Sequence, residues 1–203
     1  MTTQTDPSDG ELLQSMMAGD EEALAALYQR RAPDIFRFAL QMCESRALAD
    51  DVTQEVFMVL IREGHSFDPT RGSLGAFLMG VARNHVLRRL RRERLYVAMD
   101  EDSENDAPTK AARTNENPLD DLSRRETIEL VRRSVLALPE RYREVVVLCD
   151  LQEMSYVEAA EILGCAVGTV RSRLHRARSL LLEKLSRAHE EEAVEVKSAR
   201  CFA

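Results

Sequence analysis

Apolar residues recur along this chain at helical spacing, and strand-like alternation is almost absent. Residues 1–8 are polar and expected to be disordered; a short amphipathic helix follows from Asp9 to Ala18 and stops at Gly19. Asp20 suits an N-cap, with Glu21 and Glu22 in the first turn and Ala23, Leu24, Leu27 and Tyr28 as the inner stripe. Pro33 either kinks this helix or opens the next, and Ile35, Phe36, Phe38, Ala39, Leu40 and Met42 carry the apolar face onward. Ser45 caps a third helix through about Ile61, after which Gly64, Pro69 and Gly72 punctuate a loop. Ser73 opens a long helix that is apolar at first and then dense in arginine: Arg83, Arg88, Arg89, Arg91, Arg92 and Arg94 surround Asn84 and His85.

Residues 96–118 lack periodicity and are acidic and polar, which predicts a flexible linker unable to fold alone. Helices are expected again from Leu119 to Ala137 and from Pro139 to about Asp150. The segment from Ser155 to Leu182 then reads as two helices around a tight turn. Ser155 and Glu158 form a capping box, and Gly164 suits a chain leaving a helix through positive φ. Val167, Val170, Leu174, Ala177 and Leu181 line one face of the second helix; Thr169, Arg171, Ser172, Arg173, His175, Arg176 and Arg178 line the other. This is the pattern of a helix-turn-helix whose second helix enters the major groove, where arginine reaches guanine edges and phosphates bidentately. The fold class is therefore all-α: two small helical domains, 9–95 and 119–187, joined by the linker and followed by a charged tail, 188–203, expected to fray.

The chain has 203 residues, a formal net charge of −7 and 44% hydrophobic content, enough for buried cores. No apolar run is long enough to span a membrane, and the polar start lacks a secretory core, so a cytoplasmic protein without membrane insertion is expected. Net acidity does not exclude nucleic acid, because the arginine clusters are segregated from acidic stretches and local fields govern contact. The 4 cysteines form no C-x-x-C pair, and no phosphate-binding G-x-x-x-x-G-K-[ST] loop occurs; no cofactor, metal or catalytic residue is expected. Cys43, Cys149 and Cys165 fall at apolar positions, which leaves Cys201 as the one candidate reactive thiol.

Five segments together resemble the sigma-70 type initiation factors of bacterial RNA polymerase, in their small extracytoplasmic-function group. They are A-D-D-V-T-Q-E-V-F (49–57), F-D-P-T-R-G-S-L-G-A-F-L (67–78), A-R-N-H-V-L-R-R-L-R-R (82–92), L-P-E-R-Y-R-E-V-V-V-L (138–148) and G-C-A-V-G-T-V-R-S-R-L-H-R-A-R (164–178). The resemblance spans nearly all of residues 11–186. It implies that core polymerase, through its β′ clamp helices, meets Asp50, Asp51, Gln54 and Glu55, with Val56 and Phe57 packing behind, and that the β flap meets the second domain. It implies that Arg71, Asn84, His85 and Arg88 read the −10 promoter element and hold its opened strand. Thr169, Arg171, Ser172, Arg173, Arg176 and Arg178 would read the −35 element. An anti-sigma factor is a further partner that the resemblance implies.

The sequence departs from the family pattern at three positions: Ala166 stands where Pro or Ser is usual, Phe77 replaces a frequent Trp, and Arg88 replaces a common Asp. Two other functions compete with this reading. A polymerase-independent operator-binding regulator would leave the polar helix around residues 49–57 without a role. A metal nuclease using Asp50, Asp51 and Glu55 would need three carboxylates at i, i+1 and i+5 to converge, which one helix does not favour.

Overall fold

A computed structural model describes residues 6–99 and 120–200, with side chains over 6–70, 72–92 and 127–187. The described residues form eight α-helices and no strand: α1 (Asp9–Met17), α2 (Glu21–Cys43), α3 (Arg46–Glu63), α4 (Leu74–Met99), α5 (Asp120–Leu136), α6 (Glu140–Val146), α7 (Tyr156–Leu163) and α8 (Val167–Arg200). Short 3-10 turns at Gly64–Ser66 and Pro69–Arg71 join α3 to α4, and a π-type turn at Val147–Leu151 extends α6.

Local caps explain where several helices start. Asp20 Oδ1 accepts from the Glu22 and Ala23 amides, and Ser45 Oγ from Leu48. Residues 6–8 are held, contrary to the expectation of disorder. Ser8 makes a reciprocal capping box with Glu11, while Arg30 reaches the Pro7 carbonyl at 2.9 Å and Asp6 at 2.8 Å. Pro33 does not open a new helix. Although it cannot donate to the Gln29 carbonyl, α2 runs through it, because Leu27, Ile35, Phe38 and Met42 on both sides are fully buried.

The first half of the molecule packs α2, α3 and α4 around Leu27, Phe38, Val56, Leu60, Leu78 and Val86. In the second half, α5, α6 and α7 pack against α8 around Leu138, Val145, Leu148 and Leu174. The halves touch: α4 lies on α7, and α2 lies on α5 and on the turn after α6. Residues 100–119, which hold most of the expected linker, and Cys201 lie outside the described residues. Helix α8 continues to Arg200, in keeping with the high helix propensity of a stretch rich in Ala, Glu, Lys and Arg.

Candidate nucleic-acid interface

Ser155 starts α7 by accepting from the Glu158 amide at 3.3 Å, while its own amide donates to Glu158 Oε2 at 3.0 Å. The helix ends at Gly164, whose φ of +61° and ψ of 40° place it in the left-handed region that glycine occupies without Cβ strain. Three residues later α8 begins. Its first carbonyl, that of Ala166, accepts from Thr169 at 2.8 Å and Val170 at 3.2 Å, and the alanine has no side-chain oxygen to add a cap.

Val170, Leu174 and Ala177 are at most 1% exposed and face α6 and α7. The remaining surface of α8 must then point outward. Arg171, Ser172, His175 and Arg176 are exposed there, with Thr169 and Arg173 half-buried at its margins. The Arg171 guanidinium sits 5.9 Å from the centre of the Tyr156 ring, a restraint that the sequence pattern did not reveal.

Arg178 is placed differently. It grips Asp150 of the π-type turn through Nη2–Oδ1 at 2.6 Å and Nε–Oδ2 at 3.1 Å. The hydrogen bond to Asp150, with that residue's charge, raises the Arg178 pKa further. This two-point contact ties α8 to the turn that follows α6. Nearby, burial and then the Asp150 charge raise the Cys149 thiol, which keeps it protonated and unreactive at neutral pH.

The other half carries a second basic surface beside an aromatic cleft. Asp68 Oδ1 accepts from the Thr70 amide at 2.9 Å and its hydroxyl at 2.7 Å, shaping the turn that carries the backbone of Arg71, whose side chain lies outside the described residues. Phe67 and Phe77 meet at 5.6 Å between ring centres and 54° between planes. They line a cleft of about 350 Å³ together with Ser73 and Asn84, and Glu161 and Ile162 of α7 form its far wall. Asn84 and Arg88, one turn apart on α4, are both exposed, while His85 is half-buried. Arg83 does not join this surface. Its Nε lies 2.7 Å from Oε1 of the buried Glu144 on α6, but the N–H is not aimed along that line, so the pair is held by charge rather than by an in-line hydrogen bond.

Along α3, Asp50, Asp51, Gln54 and Glu55 are all exposed and form one polar ridge. Phe57 is 4% exposed and meets the Tyr28 ring at 4.7 Å between centres and 49° between planes, so it supports the ridge from behind. Met58 and Ile61, at 49% and 47% exposure, continue the ridge as an apolar strip that the sequence reading had not separated from the core. Among the described residues no group of acidic, His or Cys side chains could hold a metal ion, and no helix is long and apolar enough to cross a membrane.

Comparison with known proteins agrees with this arrangement. Residues 27–96 match the family model for sigma-70 region 2, and residues 128–181 match that for sigma-70 region 4. The chain is 32% identical over 178 residues to the ECF RNA polymerase sigma factor SigM of Mycobacterium tuberculosis, covering 88% of this chain and 85% of the relative. It is 30% identical over 175 residues to RNA polymerase sigma factor YlaC of Bacillus subtilis, covering 85% of this chain and 98% of that protein. Its fold is similar to that of the sigma factor RpoE of Bartonella quintana, solved in complex with the anti-sigma factor NepR. That match has a TM-score of 0.61 at 26% identity and covers 78% of this chain and 94% of the other. With both family models matched in order, one on each helical half, the chain belongs to the sigma-70 family of RNA polymerase initiation factors, in the extracytoplasmic-function group.

Proposed function

We propose that this chain acts by division of labour between its two helical halves, both serving promoter-specific initiation by core RNA polymerase. The exposed face of α8 reads the −35 element: Arg171 and Arg176 contact base edges or phosphates, and Thr169, Ser172 and Arg173 complete the surface. The cleft beside Phe67, Phe77 and Asn84 receives bases of the opened −10 strand, and Arg71, His85 and Arg88 are assigned to the strand's phosphates by their charge and hydrogen-bonding capacity. Capturing unstacked bases favours the open duplex without any chemistry by this chain; unstacking costs a few kcal/mol per base. Phosphodiester formation belongs to the polymerase. The α3 ridge of Asp50, Asp51, Gln54 and Glu55 docks on the β′ clamp helices, and the second half meets the β flap. An anti-sigma factor is the expected inhibitory partner.

The observation that carries this reading is one helix, α8, with a fully buried apolar stripe on one side and uncompensated exposed arginines on the other, set just after a glycine turn. Exposed basic groups on a net-acidic chain of charge −7 imply a partner with dense negative charge. Arg178 does not need a DNA role, since Asp150 satisfies it. The test is binding of the chain, with core polymerase, to promoter fragments selected from genomic DNA. Exchange of Arg171 or Arg176 for Ala should weaken recognition at the −35 element, whereas Arg178→Ala should leave sequence preference intact. Equal effects from all three would refute the assignment.

A further inference from the structure

The arginines of α8 are not held alike, and one of them rests on a residue of α7. The Arg171 guanidinium lies 5.9 Å from the centre of the Tyr156 ring, within the reach of a cation–π contact. Among the described residues it is the one cation on the exposed face of α8 with an aromatic partner; Arg173 and Arg176 have none. The hydroxyl end of the same ring is held separately. The Asp150 hydrogen bond does most to raise the pKa of Arg178, and a hydrogen bond to the Tyr156 hydroxyl adds to it. Arg171 and Arg178 stand two helical turns apart on one edge of α8, so they bracket the ring between them. Local sequence fixes where that ring stands. Tyr156 is the first residue of α7, directly after Ser155, whose side chain and amide close the capping box with Glu158. The cap uses no atom of the tyrosine side chain, which leaves the ring, 37% exposed, free to face α8. At the other end of α7, the left-handed Gly164 and the Cys165 amide, which donates to the Ala160 carbonyl at 3.0 Å, set the direction in which α8 departs.

An arginine that reads a base edge must place both arms of its fork at once, and an unsupported side chain surrenders rotamer freedom to do so. A ring against the guanidinium restricts that freedom before DNA arrives. It occupies only the face of the cation, so the N–H groups in the plane stay available to a base. We propose that Tyr156 is a positioning residue for Arg171: its ring holds the guanidinium ready for a base edge of the −35 element and so sets how sharply that base is discriminated. The proposal rests on the −35 reading of Arg171 given above. Arg176 lies five residues further on, about 140° around the helix, and is independent of the ring. The ring acts through its face, so the hydroxyl and its Arg178 partner are not needed for base preference.

The test is binding of the full chain, with core polymerase, to a promoter duplex and to its single-base variants across the −35 element. The readout is the ratio of affinities at each position. Arg171→Ala marks the position that this arginine reads. Tyr156→Leu and Tyr156→Met keep an apolar side chain without a ring, and circular dichroism checks that both fold. They should lower discrimination at the marked position by roughly two- to fivefold, the fold-change that an exposed cation–π contact carries. The position marked by Arg176→Ala should not change. Tyr156→Phe keeps the ring and should match the parent. With Ala already at 171, Tyr156→Leu should have no further effect, a non-additivity that general loosening of the fold does not produce. The proposal is overturned if the folded ring-less variants discriminate as the parent does, if Tyr156→Phe loses as much as they do, or if the loss persists in full with Ala at 171. An Arg171→Ala variant that alters no position overturns the −35 reading as well, so the two failures are told apart.

Discussion

Two arginines seven residues apart on α8 illustrate how placement, rather than residue type, assigns a role. Arg171 leans on Tyr156 and stays open to solvent, while Arg178 closes a two-point contact with Asp150. Arg176→Ala should reduce −35 affinity by about 1–3 kcal/mol if it touches a base, measured by titration of a promoter duplex. Arg178→Ala should instead lower the melting temperature of the second half and leave base preference unchanged. Asp9 offers a separate check. Burial acts to raise its pKa, but the hydrogen bonds and charges of Arg30 and Arg31 outweigh this and hold the carboxyl below its usual value of 3.8. A carboxylate with a lowered folded pKa stabilises the fold above its unfolded value, and that contribution disappears as pH falls through the folded value. Asp9→Asn should therefore be less stable than the parent at neutral pH, by chemical denaturation, and the difference should shrink below about pH 3.8.

At the scale of single elements, the helix-turn-helix was legible because its signals are local. Ser155, Glu158 and Gly164 each answer a backbone requirement within a few residues, and the structure meets all three. Gly164→Ala places a Cβ at φ +61° with no neighbour within 4 Å, so the penalty is backbone strain alone, about 1–2 kcal/mol in thermal denaturation. Other elements were less legible. Pro33 is a breaker by its own chemistry, yet packing along α2 overrides it, and no local rule reports packing. The tail reads as charged and solvated, but charge does not prevent a helix that simply extends α8. On α3, Asp51 and Gln54 are exposed. Replacing both with Ala should therefore change stability by less than about 0.5 kcal/mol while lowering affinity for core polymerase in a pull-down titration. A large stability loss with unchanged polymerase binding would place that ridge in the fold rather than in the docking surface.

Across the whole molecule, what the sequence could not display is the seam between the halves. Arg83 belongs to an arginine cluster and reads as a phosphate ligand, but its partner Glu144 is more than 60 residues away on another helix. Pairings at that range have no periodicity to betray them. The same holds for Arg143 and Met42, whose bond crosses between α6 and α2. Segregation of charge was visible, whereas the docking of acids in one half on cations of the other was not. Glu144→Ala should therefore leave the Arg83 guanidinium without its counter-charge and lower stability by about 1–3 kcal/mol. Chemical denaturation of the whole chain checks this.

The central claim is that one helical half reads duplex DNA, the other holds an opened strand, and an acid-and-amide helix couples both to the polymerase. Transcription in vitro tests it most directly, with core enzyme from the same cell, the purified chain and a library of genomic upstream regions, followed by sequencing of RNA 5′ ends. Starts should gather at positions sharing paired −35 and −10 sequences, and should vanish when the α3 ridge is altered at Asp51 and Gln54. Start positions indistinguishable from those of core enzyme alone would contradict the account.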